Sequence, residues 1–143
     1  MTKTLMTACL GLSLFTSTAA MADENEAETC LRAMVWEEYA DGWAIRTMTT
    51  TTLKNAATRN YLVTFYKGNE YQIRTCADGA MKNLDVVLYD LDGNVVLRDD
   101  SDGKQPLLTY KPEQTTTYYI VVHARELVNK DKDAGVAVAV TYR

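Results

Sequence analysis

Two residues carry most of what the chain could offer for nucleophilic or acid–base work: His123, its single histidine, and Ser101, the only serine after the first 22 residues. A Ser-His-Asp triad would have to use this one pairing, because the hydroxyl must reach an imidazole that a carboxylate orients. Ser101 falls in "DDSDG", which is turn composition, and no Gly-x-Ser-x-Gly elbow lifts a serine out of a strand–helix turn. His123 follows Val121 and Val122 and reads as a rim histidine near a strand terminus. Zinc and copper sites call for several His or Cys ligands, which this chain does not supply. Hydrolysis by serine or cysteine is therefore not expected, and no catalytic residue is assigned.

Carboxylates are plentiful, and they gather in "DLDGN" and "DDSDG". A glycosidase holds two carboxyls at a set gap across a cleft, whereas these crowd into turns. Asp90, Asp92, Asn94, Asp99, Asp100 and Asp102 offer the hard oxygens that calcium takes. In "DLDGN", however, glycine comes fourth and no glutamate closes the loop, unlike an EF-hand. Asp, Asn and Gly also dominate turns by capping local backbone and tolerating positive φ. Two well-made turns are expected, no cofactor is required, and calcium in the acidic turns is the alternative.

The chain holds nine tyrosines. Tyr61, Tyr71 and Tyr118 share the parity of apolar neighbours and are expected inside. Tyr66, Tyr110 and Tyr119 have the opposite parity and are the candidate binding residues, since tyrosine offers large area with one polar tip.

These side chains must be positioned by whatever remains after the first 22 residues. "MTKTLMTACLGLSLFTSTAAMA" has one positive charge at Lys3, an apolar run from Leu5 to Phe15, and small residues at Ala20-Met21-Ala22 or Thr18-Ala19-Ala20, the pattern of a cleaved secretory signal. The run is shorter than a membrane span needs. Roughly 120 residues follow, enough for one domain that buries about two-thirds of its unfolded surface. Loss of Lys3 makes the remainder more negative than the whole chain's −4, which argues against nucleic acid as a partner. The expected location is periplasmic or extracellular. There, Cys30 and Cys76 most simply form one disulfide.

Ala27, Cys30, Leu31, Met34 and Val35 follow helical spacing, predicting an amphipathic helix over Ala27 to Ala40 within a leading segment 23–42, stopped by Asp41-Gly42. Trp36 and Trp43 flank the helix end and are expected to pack it against the rest. Over 43–143 the signal is β. Thr47 to Thr52, Asn60 to Tyr66, Tyr71 to Cys76, Leu84 to Tyr89, Val95 to Leu97, Gln105 to Tyr110, Tyr118 to Val122 and Val136 to Tyr142 each read as strands. Leu84 to Tyr89 is apolar on both parities, the pattern of a strand covered on both sides. "ELVNKDKDAG", Glu126 to Gly135, reads as a mobile loop. Seven or eight short strands with frequent turns predict a mainly β, antiparallel sandwich preceded by one helix.

In order, "YKGNEYQI", "LDVVLYDLDGNVVLRDD" and "TTTTYYIVV" resemble the bacterial pre-peptidase C-terminal domain family. The resemblance covers about Asn60 to Tyr142 and rests on an aromatic-start strand after Gly68, the Asp92-Gly93-Asn94 hairpin and a late Thr-Tyr-Tyr strand. Where the family has glycine before that pair, this chain has Thr116. The resemblance implies a jelly-roll-like sandwich and no catalytic group. It further implies a role in secretion, in assisting a secreted partner, or in binding a protein or surface polymer, here as a stand-alone copy. The alternative from another class is an inhibitor of a secreted hydrolase, a peptidase or lysozyme, with Glu126 to Gly135 as its contact. Nothing in the sequence sets the oligomeric state.

Overall fold

A computed structural model describes residues 22–143; the expected signal, 1–22, lies outside them except for Ala22. Helix α1 (Glu24–Tyr39) starts almost a turn before the predicted Ala27. The reason is Asp23, whose carboxylate accepts from the Glu26 amide at 2.9 Å and so caps the helix. Glu24 and Glu26 in the first turn suit its positive end. Ala27, Leu31 and Val35 are buried, as the spacing predicts.

Eight strands follow: β1 (Ala44–Lys54), β2 (Thr58–Phe65), β3 (Tyr71–Ala77), β4 (Met81–Tyr89), β5 (Val95–Asp99), β6 (Leu107–Tyr110), β7 (Thr116–Leu127) and β8 (Asp133–Tyr142). They form two four-stranded antiparallel sheets, ordered β1-β8-β3-β6 and β2-β7-β4-β5. This is the doubled Greek key of a jelly roll. The expected antiparallel sandwich preceded by one helix is borne out.

Between the sheets lie Phe65, Tyr71, Ile73, Leu84, Val86, Leu88, Ile120, Val122 and the valines of β8. Val136, Val138 and Val140 face this core, while Ala137 and Ala139 lie under α1 with Leu31, Val35 and Cys76. Small residues on that outer face let the helix settle close to the sheet. The disulfide Cys30–Cys76 joins α1 to β3 with Cα atoms 6.1 Å apart. At the helix start, Asp78 is buried and its carboxylate accepts from the amides of Asp23 (2.7 Å), Gly135 (2.8 Å) and Ala80 (3.0 Å). At the other end Arg74 pairs with Glu38. The helix is thus held at both ends and in the middle.

Leu84 to Leu88 are buried on both parities, as expected, although α1 lies on β8 and β3 of the other sheet. Two expectations about packing are corrected. Trp43 is buried, at 5% exposure, with the Arg143 guanidinium 4.5 Å above its ring, but Trp36 is 77% exposed, because it lies one residue off the buried stripe and points along the helix flank. The loop expected over Glu126 to Gly135 is only 128–132, since β7 runs on to Leu127. Asn55 accepts from the Leu127 amide at 3.0 Å, Glu126 pairs with Lys82, and Asn129 caps the Asp131 amide at 3.0 Å.

Candidate functional site

An open groove of about 710 Å³ runs between the flank of α1 and the start of β1, lined by Arg32, Ala33, Trp36, Glu37, Tyr39 and Ile45 among others. Trp36 and Tyr39 are i, i+3 neighbours, and their rings stack at 5.9 Å. Tyr39 is 67% exposed. Ile45 also lines an adjoining cleft of about 410 Å³ with Arg46, Tyr66, Asn69 and Tyr142. A β-bulge between Ile45 and Thr47 interrupts the pairing of β1 with β8. The Arg46 guanidinium donates to the Thr64 carbonyl at 2.5 Å and lies 5.4 Å from the Tyr66 ring centre. Helix end, strand start and the β2–β3 turn thus form one aromatic surface on a rigid support.

The three tyrosines picked from parity do not converge. Tyr66 belongs to that surface, and Tyr119 lies half-exposed on the outer face of the β2-β7-β4-β5 sheet. Tyr110 is corrected: its ring turns inward, edge-on to Tyr118 at 5.4 Å, and their hydroxyls are 3.1 Å apart. Burial raises the Tyr118 phenol well above its ordinary pKa. Spacing placed Tyr110 outside because β6 is only four residues long, too short for parity to fix a face.

His123 is not at a strand end. It lies within β7, opposite Asp85 of β4, and its Nδ1 is 3.3 Å from an Asp85 oxygen. The other Asp85 oxygen accepts from Arg125 Nε at 2.9 Å, and this bond with one to Asp102 holds the guanidinium firmly charged. Asp85 is 6% exposed. The Ser101 hydroxyl donates to Asp99 at 2.6 Å, and only the Ser101 carbonyl approaches this cluster, through Arg125 at 3.2 Å. Among the described residues no serine nucleophile faces the imidazole. Sequence reasoning missed Asp85 and Arg125, whose one signal was charge at outward positions of strands.

The six candidate calcium ligands divide between the two ends of β5. Asp90 accepts from the amides of Asp92 and Asn94 and from the Asn94 side chain, which hold its carboxyl below its usual range, chiefly through the Asn94 bonds. Asp99 accepts from Ser101 and from the Leu107 amide at 2.9 Å. Burial works to raise its pKa, but those bonds win and lower it. Among the described residues, no three His, Cys, Asp or Glu side chains gather as a metal site.

The fold and the tethered helix define a class, a jelly-roll sandwich carrying one disulfide-anchored helix on its outer face. No protein-family model matches the chain, and no curated protein sequence does. Solved structures do. The pre-peptidase C-terminal domain of a collagenase from Bacillus anthracis superposes with a TM-score of 0.52 at 14% identity, covering 66% of this chain and 87% of that one. PliG of Aeromonas hydrophila, a periplasmic lysozyme inhibitor of g-type lysozyme, gives 0.51 at 13% identity, over 68% of this chain and 85% of its own. The likeness shows a fold like that of the pre-peptidase C-terminal domain, as the sequence resemblance implied. Among the described residues no helix is long and apolar enough to cross a membrane.

Proposed function

We propose that this protein is an exported, non-catalytic sandwich module that binds a protein partner through the aromatic surface at the end of α1. The observation that carries the reading is the stacked Trp36–Tyr39 pair, 77% and 67% exposed on a helix pinned by a disulfide and two polar latches. Large aromatics are costly to leave in water, and contiguous apolar patches mark interaction sites. Trp and Tyr on rigid supports are the residues that anchor interfaces, because little entropy is lost when they dock. The signal pattern over 1–22 and the Cys30–Cys76 bond support export. The protein is bait for cross-linking and pull-down from envelope and culture-fluid fractions, as wild type, as Trp36→Ala and as Leu62→Ala. A partner kept by Leu62→Ala and lost by Trp36→Ala is expected. An identical set of proteins from all three, or a pure protein that dimerises through Trp36, overturns the reading.

A second reading makes the same surface the face of a hydrolase inhibitor. Its support is the sandwich shared with PliG, whose target is g-type lysozyme. With 128–132 reduced to a tight turn, the 126–135 contact gives way to the Trp36 groove. Assays of g-type, c-type and peptidase targets with wild type and Trp36→Ala separate inhibition from other binding.

A further inference from the structure

The two outer faces of the sandwich differ in a way that the helix explains for only one of them. The β1-β8-β3-β6 sheet is covered by α1, while among the described residues no element lies on the β2-β7-β4-β5 sheet. An antiparallel face left in water should alternate to polar residues. The strand register instead sets rows across this face: Thr58–His123–Asp85, then Asn60–Val121–Val87–Arg98, then Leu62–Tyr119–Tyr89–Val95. The middle of the face is thus apolar and aromatic, with polar side chains along one side. Val87 is buried although no described element covers it. A groove of about 250 Å³ lies over it, with Val121 on its floor and Tyr89, His123, Arg98 and Asp100 around it.

The polar groups of this groove are held in place. Buried Asp85 takes His123 Nδ1 on one oxygen and Arg125 on the other, leaving Nε2 on the far edge of an oriented ring. Arg98 and Asp100 are 3.8 Å apart, loosely paired and both exposed, so each planar group keeps hydrogen-bonding capacity for a ligand. Their charges offset one another, and Arg125 offsets buried Asp85, so the one carboxylate left over is Asp102, which is 88% exposed and screened by water. The groove therefore has no strong field for an anion or a cation. It offers mixed donors and acceptors around an apolar and aromatic floor.

That combination suits a neutral ring with an apolar C–H face and hydroxyls at its edge, and we propose that the outer face of the β2-β7-β4-β5 sheet binds a neutral oligosaccharide. One pyranose would stack on Tyr89 above Val87 and Val121. Its adjacent hydroxyls would bridge Arg98 and Asp100 on one side and reach His123 Nε2 on the other. A volume of about 250 Å³ is below the roughly 300–1,000 Å³ of drug-sized pockets, room for one or two sugar rings. Tyr119 and Leu62, exposed beyond the groove on the next row, continue the apolar strip for further units. The site is on the opposite side of the sandwich from Trp36 and does not depend on the protein-binding surface.

The test is titration of the disulfide-intact protein with cellohexaose, chitohexaose and maltohexaose, followed by calorimetry and amide chemical shifts, with oligogalacturonate as the anionic comparison. Saturable binding of at least one neutral hexamer in the millimolar range or tighter is expected, with shifts centred on Val87, Val121 and His123. Tyr89→Ala and the exposed Arg98→Ala should each weaken it by about tenfold, equivalent to about 1.4 kcal/mol, while Trp36→Ala leaves it unchanged. No saturable binding of any of the three, binding only of oligogalacturonate, or binding indifferent to Arg98→Ala overturns the proposal.

Discussion

Gly135 leaves no room for a side chain beneath Asp23: a Cβ there would sit 2.5 Å from the Asp23 carbonyl carbon and oxygen and 2.7 Å from the Glu24 amide nitrogen. The obstacle is backbone, and that backbone is fixed by Asp78, which bonds both the Asp23 and Gly135 amides. Gly135→Ala should therefore push the start of α1 off β8 and cost about 1–3 kcal/mol, the usual cost of overpacking. Gly79→Ala is the control, since its Cβ would meet only the Glu26 carboxylate at 3.7 Å. Thermal melts that fall equally for both would show that the close approach does not matter.

The disulfide spans 46 residues of sequence. On the chain-entropy estimate a loop of that length stabilises by about 4 kcal/mol. Paired Cys30→Ala and Cys76→Ala replacements should lower the denaturant midpoint accordingly while the sandwich still folds, because its core between the sheets does not include the bridge. If the oxidised and reduced proteins share a midpoint, the helix is anchored by Asp78 and Arg74 alone.

The two tryptophans should respond in opposite ways. Trp43 is buried, and Trp43→Ala should cost about 3–5 kcal/mol, as large aromatic truncations do. Trp36→Ala removes an exposed ring and should leave stability within about 0.5 kcal/mol. Acrylamide quenching gives the same contrast: Trp36→Ala should abolish most of the accessible fluorescence. A large loss of stability from Trp36→Ala would mean that the ring is structural.

What the sequence made legible was whatever repeats within a strand or a helix turn. The Val–Ala alternation of 136–140 showed two faces of different size, and the stripe Ala27–Leu31–Val35 showed which helix face is buried. Neither could show that the alanines are small because α1 lies on them. Trp36 is adjacent to Val35 in sequence, yet one step turns about 100° around a helix and takes it off the buried stripe. The Asp85–His123 contact joins residues 38 apart, and Asn55 extends β7 from 72 residues away. Such partners depend on strand order and register, which local alternation does not encode.

Added calcium should change little. The Asp90 and Asp99 carboxylates already accept several bonds from their own turns, and the two turns lie at opposite ends of β5. The melting temperature in millimolar calcium should lie within about 1 °C of that in chelator. A saturated site at 100-fold excess would add about 2.7 kcal/mol, roughly 10 °C for a domain of this size. A rise of that order would assign an ion to one of the turns.

Acid should destabilise the protein, with a sign fixed by four carboxyls. Glu24 is lowered by bonds from Thr52 and Thr50, and Glu126 by Lys82. Asp90 is lowered by Asn94, and Asp99 by Ser101 and Leu107 against the opposing effect of burial. A carboxyl with a depressed pKa in the fold binds its proton more tightly in the unfolded chain. Its stabilisation is present above the ordinary value and is lost as pH falls through the folded one. The melting temperature should thus hold between neutral pH and about 5, begin to drop below the ordinary Glu value of 4.5, and continue down past the Asp value of 3.8. Asp99→Asn should melt lower at neutral pH and lose less on acidification, because it removes one titrating group while keeping a side chain of similar shape. A wild-type profile that stays flat to pH 2.5, or a variant that falls as steeply as the wild type, would show that these turn carboxylates do not couple to folding.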